Sequence, residues 1–160
     1  MKIGLISDTH LDDDEPAGLP AWVVETFRGV DLILHAGDIE VASVLDELAL
    51  IAPVRAVQGN MDRHTLPNLP LTCTVPLDGG LAVVAHRLAD ARSLWRPGVI
   101  LLVHGHTHAG AITDVGGVWV INPGSARRPR DGRPPSVVVA EVVGGLIRAE
   151  FKFPHRPADE

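Results

Sequence analysis

DLILHAGD (31–38) runs into IEVASVLDELALIA (39–52) and then into VRAVQGN (54–60), and this passage decides the fold. The first stretch is an apolar run that stops on polar residues, the pattern of a buried strand. The second carries apolar residues at helical spacing and is closed by Pro53, so it predicts a helix; the third is again a short strand. Upstream the pattern repeats. KIGLIS (2–7) stops abruptly at Asp8, and LPAWVVETFRGV (19–30) has helical spacing with Gly29 as a stop. Strand–helix units packed this closely imply right-handed crossovers and a parallel sheet with helices on its faces.

Downstream the character changes. LTCTVPL (71–77), LAVVAH (81–86), VILLVHG (99–105), AITDV (111–115), VWVIN (118–122), SVVVAEVV (136–143) and LIRAEFKF (146–153) are strand candidates, and RLADARSLWR (87–96) is the one clear helix among them. The pairs Gly79-Gly80, Gly116-Gly117 and Gly144-Gly145 are two-residue hairpin signals, so antiparallel pairs join the parallel start. The expected fold class is α/β: two packed mixed β-sheets flanked by helices.

At 160 residues the chain is most simply one domain (1–160, with 154–160 a loose tail), large enough to bury a core. A content of 46% hydrophobic and 21% charged residues is that of a globular protein. A formal net charge of -6 argues against a general nucleic-acid or anionic-membrane binder. It does not argue against a phosphorylated small molecule, because a bound metal can outweigh the global sign. The single cysteine, Cys73, excludes an internal disulfide framework, suits a reducing cytoplasm and reads as an inert strand residue. MKIGLISDTH is too short and too soon polar for a signal peptide, and no apolar run approaches a membrane span. The expectation is a soluble, cytoplasmic protein; self-association is left open.

The chemistry gathers where the strands stop. Strand one ends in Asp8 and His10, two in His35, Gly37 and Asp38, three in Gly59, Asn60 and Asp62. LAVVA ends in His86, and LLVHGHTHAG (101–110) carries His104, His106 and His108. In an open parallel sheet the ligand crevice lies outside the carboxyl ends of the strands, so these residues converge on one rim. Any single Asp or Asn there could be a turn former or helix cap, and a lone His35, His64 or His155 a satisfied polar group. Caps do not require histidine, however, and four strand ends carry one. Imidazole and carboxylate without thiolate suit Mn, Fe, Zn or Ni.

SDTH (7–10), HAGD (35–38), GNMD (59–62), AH (85–86), GHTH (105–108) and NPGS (122–125) resemble, in order, the blocks of the calcineurin-like metallophosphoesterases. Among these the chain looks most like the small bacterial and archaeal phosphodiesterases, over roughly residues 2 to 153. The resemblance implies a dinuclear site: Asp8, His10 and His108 on the first ion, Asn60, His86 and His106 on the second, Asp38 bridging. It makes Asp38, Asn60 and His86 catalytic residues, and implies hydrolysis of a small phosphodiester by metal-activated hydroxide, most simply with two manganese ions. His104 is outside the ligand pattern and reads as a support.

Two departures matter. Met61 stands where many relatives have a histidine that protonates the leaving group, a role a thioether cannot fill. The small phosphodiesterases commonly lack that histidine too. Asp62 reads as an ionised residue that holds Asn60 or a backbone amide. At the His86 block the second histidine of a common His-Gly-His string is replaced by Leu88. The loop ARRPRDGRPP (126–135) offers Arg127, Arg128 and Arg130 as a phosphate-binding arm or, equally, as a solvated proline-stiffened loop. The acidic run DDDEP (12–16) reads as a solvated loop, with a lid the lesser alternative. Rival functions are a protein-interaction scaffold like the eukaryotic retromer subunit, a phosphomonoesterase, or a repair-type nuclease.

Overall fold

The computed structural model describes residues 1–10 and 18–155; the acidic run 12–16 and residues 156–160 lie outside them. Among the described residues, ten strands form two five-stranded sheets. The first contains β1 (Lys2–Ile6), β2 (Leu32–His35), β3 (Val54–Ala56), β9 (Val137–Val143) and β10 (Leu146–Lys152), in the order β10-β9-β1-β2-β3. The second contains β4 (Thr72–Leu77), β5 (Gly80–Ala85), β6 (Val99–Val103), β7 (Ala111–Val115) and β8 (Val118–Asn122), in the order β4-β5-β6-β8-β7. The expected α/β class of two mixed sheets with outer helices is what the chain adopts. Strands β1, β2 and β3 are parallel, as are β5, β6 and β8; the remaining pairings are antiparallel.

Strand alternation sorts the side chains into layers. Ile3, Leu5, Leu32 and Leu34 face Ala82, Val84, Leu101, Val103 and Ile121 in the core between the sheets. Ile6 and Ile33 point the other way, onto α1 (Ala21–Thr26) and α2 (Ala42–Ala49) through Val23, Phe27, Val44 and Leu48. Position 4, on the same outer face, is glycine because a β-carbon there would sit 2.9 Å from the Phe27 ring. On the second sheet Val83, Val99 and Leu102 bury against Ala91 of α3 (Leu88–Ser93). β2 is buried along its whole length, which is why LILH shows no alternation.

Each helix is shorter than its apolar periodicity suggests, and the causes bear on the site. Gly29 at φ +81° is the last residue of the turn that ends α1. α2 begins at Ala42 rather than 39 because Glu40 is left-handed at φ +67°, in a turn held by the N–H groups of Ile39 and Glu40 on the Asp62 carboxylate at 2.8 and 2.7 Å. β3 stops at Ala56, since Gln58 donates its N–H to Pro70 instead of to a sheet neighbour. The glycine turns hold at 116–117 and 144–145. At the first hairpin the turn is Asp78-Gly79, and Gly80 already pairs with Leu77. Asp78 reaches across to the other sheet, accepting the N–H of Gly144 on its side chain and that of Gly145 on its carbonyl. The two sheets are thus fastened together at the end remote from the parallel strands' carboxyl termini. No helix among the described residues is long and apolar enough to cross a membrane.

Candidate metal centre

At the carboxyl ends of β1, β2, β5 and β6 the backbone leaves strand geometry. Asp8, His10, Asp38, Glu40, His106 and His108 all have positive φ, between +23° and +70°. Such conformations are costly for residues with a β-carbon and persist where the surroundings hold them. β1 ends at Ile6, so Asp8 and His10 converge through these turns, not by strand alternation. The spacing i, i+2 recurs at Asp8/His10, Asp38/Glu40 and His106/His108. Gly105 is not left-handed; it is needed for space, because a β-carbon there would overlap Ser7 Oγ and lie 2.5 Å from Asp8 Oδ2. Gly59 passes just as closely against Asp38.

All seven residues singled out as ligands come together. His10 and His108 stack, with centroids 5.0 Å apart and Nε2 atoms 3.1 Å apart. Asp8 Oδ1 lies 3.3 Å from His108 Nε2 and 3.8 Å from His10 Nε2. His86 Nε2 is 3.0 Å from Asn60 Oδ1, which is itself 3.2 Å from His106 Nδ1. Asp38 Oδ2 touches both groups, 3.6 Å from His10 Nε2 and 3.3 Å from His86 Nε2. Donor atoms of Asp8, His10 and His108, and those of Asp8, Asp38 and His86, lie within 4.8 Å of one another.

The surrounding hydrogen bonds decide where the protons are. His86 Nδ1 donates to the Ala36 carbonyl at 2.7 Å, His108 Nδ1 to the Arg128 carbonyl at 2.6 Å, and His10 Nδ1 faces the Glu40 carboxylate at 3.1 Å. A carbonyl or carboxylate only accepts, so each ring keeps a proton on Nδ1, which leaves Nε2 as the atom that faces inward and can offer its lone pair to a cation. The aspartates behave likewise. Asp8 Oδ2 accepts from the Ser7 hydroxyl and the His106 N–H, while Oδ1, fully buried, has no hydrogen-bond donor among the described residues. Asp38 Oδ1 accepts from the Met61 N–H, leaving Oδ2 to the histidines. The Nε2 atoms of three imidazoles and the oxygens of two carboxylates therefore face each other in a buried space, an arrangement that suits a cation once the Nε2 protons leave.

Without a cation, the charges adjust by holding protons. Burial disfavours the charged form of Asp38, but its hydrogen bonds with His86 and the Met61 amide outweigh this and hold it below the usual carboxylate range. Burial likewise opposes protonation of His86, and the Asp38 hydrogen bond and charge reverse the balance, raising it. The Asp8 carboxylate beside His108 raises that ring too. His106 is lowered by burial and by the charges of His86 and Arg87.

A further set of residues supports the centre. Asp62 holds four amides: Ile39 and Glu40 on Oδ1, Asp38 and Gly59 on Oδ2. It thereby takes the amide-holding part expected of it, for Asp38 rather than Asn60. His35 accepts the Gly37 N–H at Nδ1, so its Nε2 bears the proton and donates to Thr9 Oγ1; burial pushes its pKa down to about 3. Glu40 had no assigned role, although its i+2 spacing from Asp38 matched the other two pairs. Asn122 and Ser125 of the NPGS block act as buckles: Asn122 Nδ2 donates to the Gly105 carbonyl and Thr107 Oγ1, and Ser125 donates to the Asp8 carbonyl. His104 is buried behind the site, with Nδ1 against the Gly105 carbonyl. Arg127 donates its guanidinium to the Gly18 carbonyl; the backbone of Arg128 holds His108 and Ser125, and Arg130 is exposed.

Comparison with known proteins agrees with this geometry. A calcineurin-like phosphoesterase superfamily domain matches residues 1–145. A probable metallophosphoesterase of Methanothermobacter thermautotrophicus is 38% identical over 159 residues, covering 94% of this chain and 91% of that protein. Among solved structures, wild-type Vps29 of Entamoeba histolytica complexed with zinc is similar at TM-score 0.74 and 22% identity, over 96% of this chain and 99% of that one. A novel archaeal phosphodiesterase is similar at TM-score 0.72 and 24% identity, over 95% and 100%. The two structures share the fold with this chain, and the domain match together with the archaeal relative shows more: the chain belongs to the calcineurin-like phosphoesterase superfamily.

Proposed function

We propose that this protein is a dinuclear metal-dependent phosphodiesterase acting on a small phosphodiester. Asp8, His10 and His108 would hold one divalent ion, Asn60, His86 and His106 the other, and Asp38 would be shared. The observation that carries this reading is the set of inward-facing Nε2 and carboxylate oxygen atoms around the donorless Asp8 Oδ1. When bound there, two divalent ions supply Lewis acidity for the phosphoryl oxygens and make a nucleophile of water at neutral pH.

The chain's own part is to keep the donors ready. Glu40 and the carbonyls of Ala36 and Arg128 fix three ring protons away from the centre. Ser7 and the amides of His106 and Met61 fix the aspartates, so little reorganisation remains when a substrate arrives. Two divalent charges against Asp8 and Asp38 leave about +2, or about +1 counting Glu40, which suits a phosphodiester monoanion in a protein of net charge -6. Met61 offers no proton to a leaving group, which favours diesters with good leaving groups, since positioned acid catalysis is worth ~10²–10⁴-fold. Manganese is the ion we favour for the cell, and the cytoplasm the compartment; the Entamoeba protein holds zinc in its structure.

The reading is tested by loading purified protein with manganese or zinc and comparing bis(4-nitrophenyl) phosphate with 4-nitrophenyl phosphate, alongside elemental analysis. The expected result is two ions per chain, diester turnover above monoester turnover, and loss of both in chelator. Full activity in chelator overturns the metal reading, and a strong monoester preference overturns the diesterase reading.

A further inference from the structure

We propose that the groove beside His86 and Asn60 seats one arm of the substrate and selects an arm that carries its own phosphate, with Arg63 and Arg87 as the recognising groups. The inference rests on the phosphodiesterase reading and adds to it a substrate class. The groove has a volume of about 460 Å³, and Asn60 and His86 form part of its wall together with Arg63, Leu71, Arg87 and Asp90. That volume falls within the range that holds small organic ligands. A group bonded to phosphorus at the metal centre therefore has a continuous path into it.

The wall chemistry says what kind of group. Arg63 follows Asn60 by three residues and Arg87 directly follows His86, so both cations are tied to residues of the second donor group. Neither guanidinium makes a hydrogen bond or ion pair among the described residues, although Asp90 lines the same groove. Two guanidinium groups against one carboxylate make this a basic wall on an acidic protein. The guanidinium fork matches phosphate oxygens in pairs, better than it matches any neutral arm. Leu71, 69% exposed, lines the groove as well and offers a ring an apolar surface to lie on. A ring followed by a phosphate is a nucleotide-like arm, so the substrate class is a phosphodiester with a phosphorylated nucleoside on one side.

The test compares thymidine 5'-(4-nitrophenyl phosphate) with the same ester bearing a 3'-phosphate, in wild type, the Arg63→Ala/Arg87→Ala double variant and the double Lys variant. Wild type should prefer the 3'-phosphorylated ester by kcat/KM. The Ala pair should reduce that preference about tenfold or more, mainly through KM, and the Lys pair should restore part of it. Calorimetric titration of thymidine 3',5'-bisphosphate gives a readout that needs no turnover, and the Ala pair should bind it at least tenfold more weakly. An unchanged preference and an unchanged Kd overturn the groove assignment while hydrolysis of either ester sustains the diesterase reading. If wild type hydrolyses neither ester with any metal, the diesterase reading falls, and the bisphosphate Kd alone decides the groove: weakened binding supports it and equal binding overturns it.

Discussion

The two donor groups are built differently. In the first, Asp8, His10 and His108 are 0%, 8% and 4% exposed, and a carboxylate belongs to the group outright. In the second, only His86 is buried; Asn60 and His106 are half-exposed, and the group depends on Asp38 for its negative charge. Under the proposed function, burial and a private carboxylate should make the first group the tighter site for a cation, and the more open second group is the one a substrate would meet. The strongest way to break this comparison is Asp8→Asn against Asn60→Ala. Loss of an outer hydrogen-bond partner of a ligand costs ~10–100-fold in metal affinity, and removal of Asp8 itself should cost more than that. Asn60→Ala should empty only the weaker site, halving the metal content on elemental analysis. Asp8→Asn should also have an opposite effect on the metal-free protein. At a pH above the raised value of His108, where that ring is neutral, an amide in place of the buried anion can donate to its Nε2, which should raise metal-free stability by ~1 kcal/mol in urea titrations. Loss of stability together with metal would show that Asp8 is a structural residue instead.

The supports differ as much as the ligands. Ser125 steadies the first group through the Asp8 carbonyl and the Arg128 N–H, whereas Asp62 steadies the shared Asp38 and its neighbours through four amides at 2.7 to 2.9 Å. Each buried amide left without an acceptor costs ~1–3 kcal/mol, less where water enters. Asp62→Ala should therefore lower unfolding free energy by about 3 kcal/mol or more, and Ser125→Ala by about half as much. Equal losses would mean that the two groups are held alike.

Much of this could be read from residue order, and the exceptions have a common cause. Strand positions, sheet number and the hairpins at Gly116-Gly117 and Gly144-Gly145 follow from alternation and glycine pairs, which are local signals. The convergence of Asp8, Asp38, Asn60, His86, His106 and His108 was legible because each closes an apolar strand or lies just beyond one. The shortened start of α2 was not, because Ile39 and Glu40 fit the helical pattern and only a carboxylate 22 to 23 residues away holds them in a left-handed turn. Glu40 and Ser125 were hidden for the same reason, since a hydrogen bond to a distant loop leaves no mark in local periodicity. The basic groove was hidden as well: Arg63 and Arg87 are far apart in the chain, and the conspicuous arginine run at 127–130 lies in a loop where Arg127 binds the Gly18 carbonyl and the backbone of Arg128 holds His108 and Ser125.

His35 joins the two donor groups and gives the comparison its most delicate test. Its Nδ1 holds Gly37, next to the shared Asp38, and its Nε2–H holds Thr9, between Asp8 and His10. Its pKa, lowered by burial from 6.5 to about 3, lies below that of the unfolded chain. Between these values the unfolded chain binds a proton that the folded one does not, so stability from this group is complete above pH 6.5 and falls as pH falls. At pH 5.5 the deficit is about 1.4 kcal/mol. His86 and His108, raised in the metal-free protein, work in the opposite sense, adding stability at low pH that is lost as pH rises through their folded values. Wild type alone would mix the two effects. The difference between wild type and His35→Asn, each unfolded in urea with chelator at pH 7.5 and 5.5, separates them. Acidification should cost wild type about 1.4 kcal/mol more than the variant, since asparagine keeps an acceptor for Gly37 and does not titrate. An equal cost in both proteins would mean that His35 takes up a proton in place, and that its hold on the two loops gives way before the fold does.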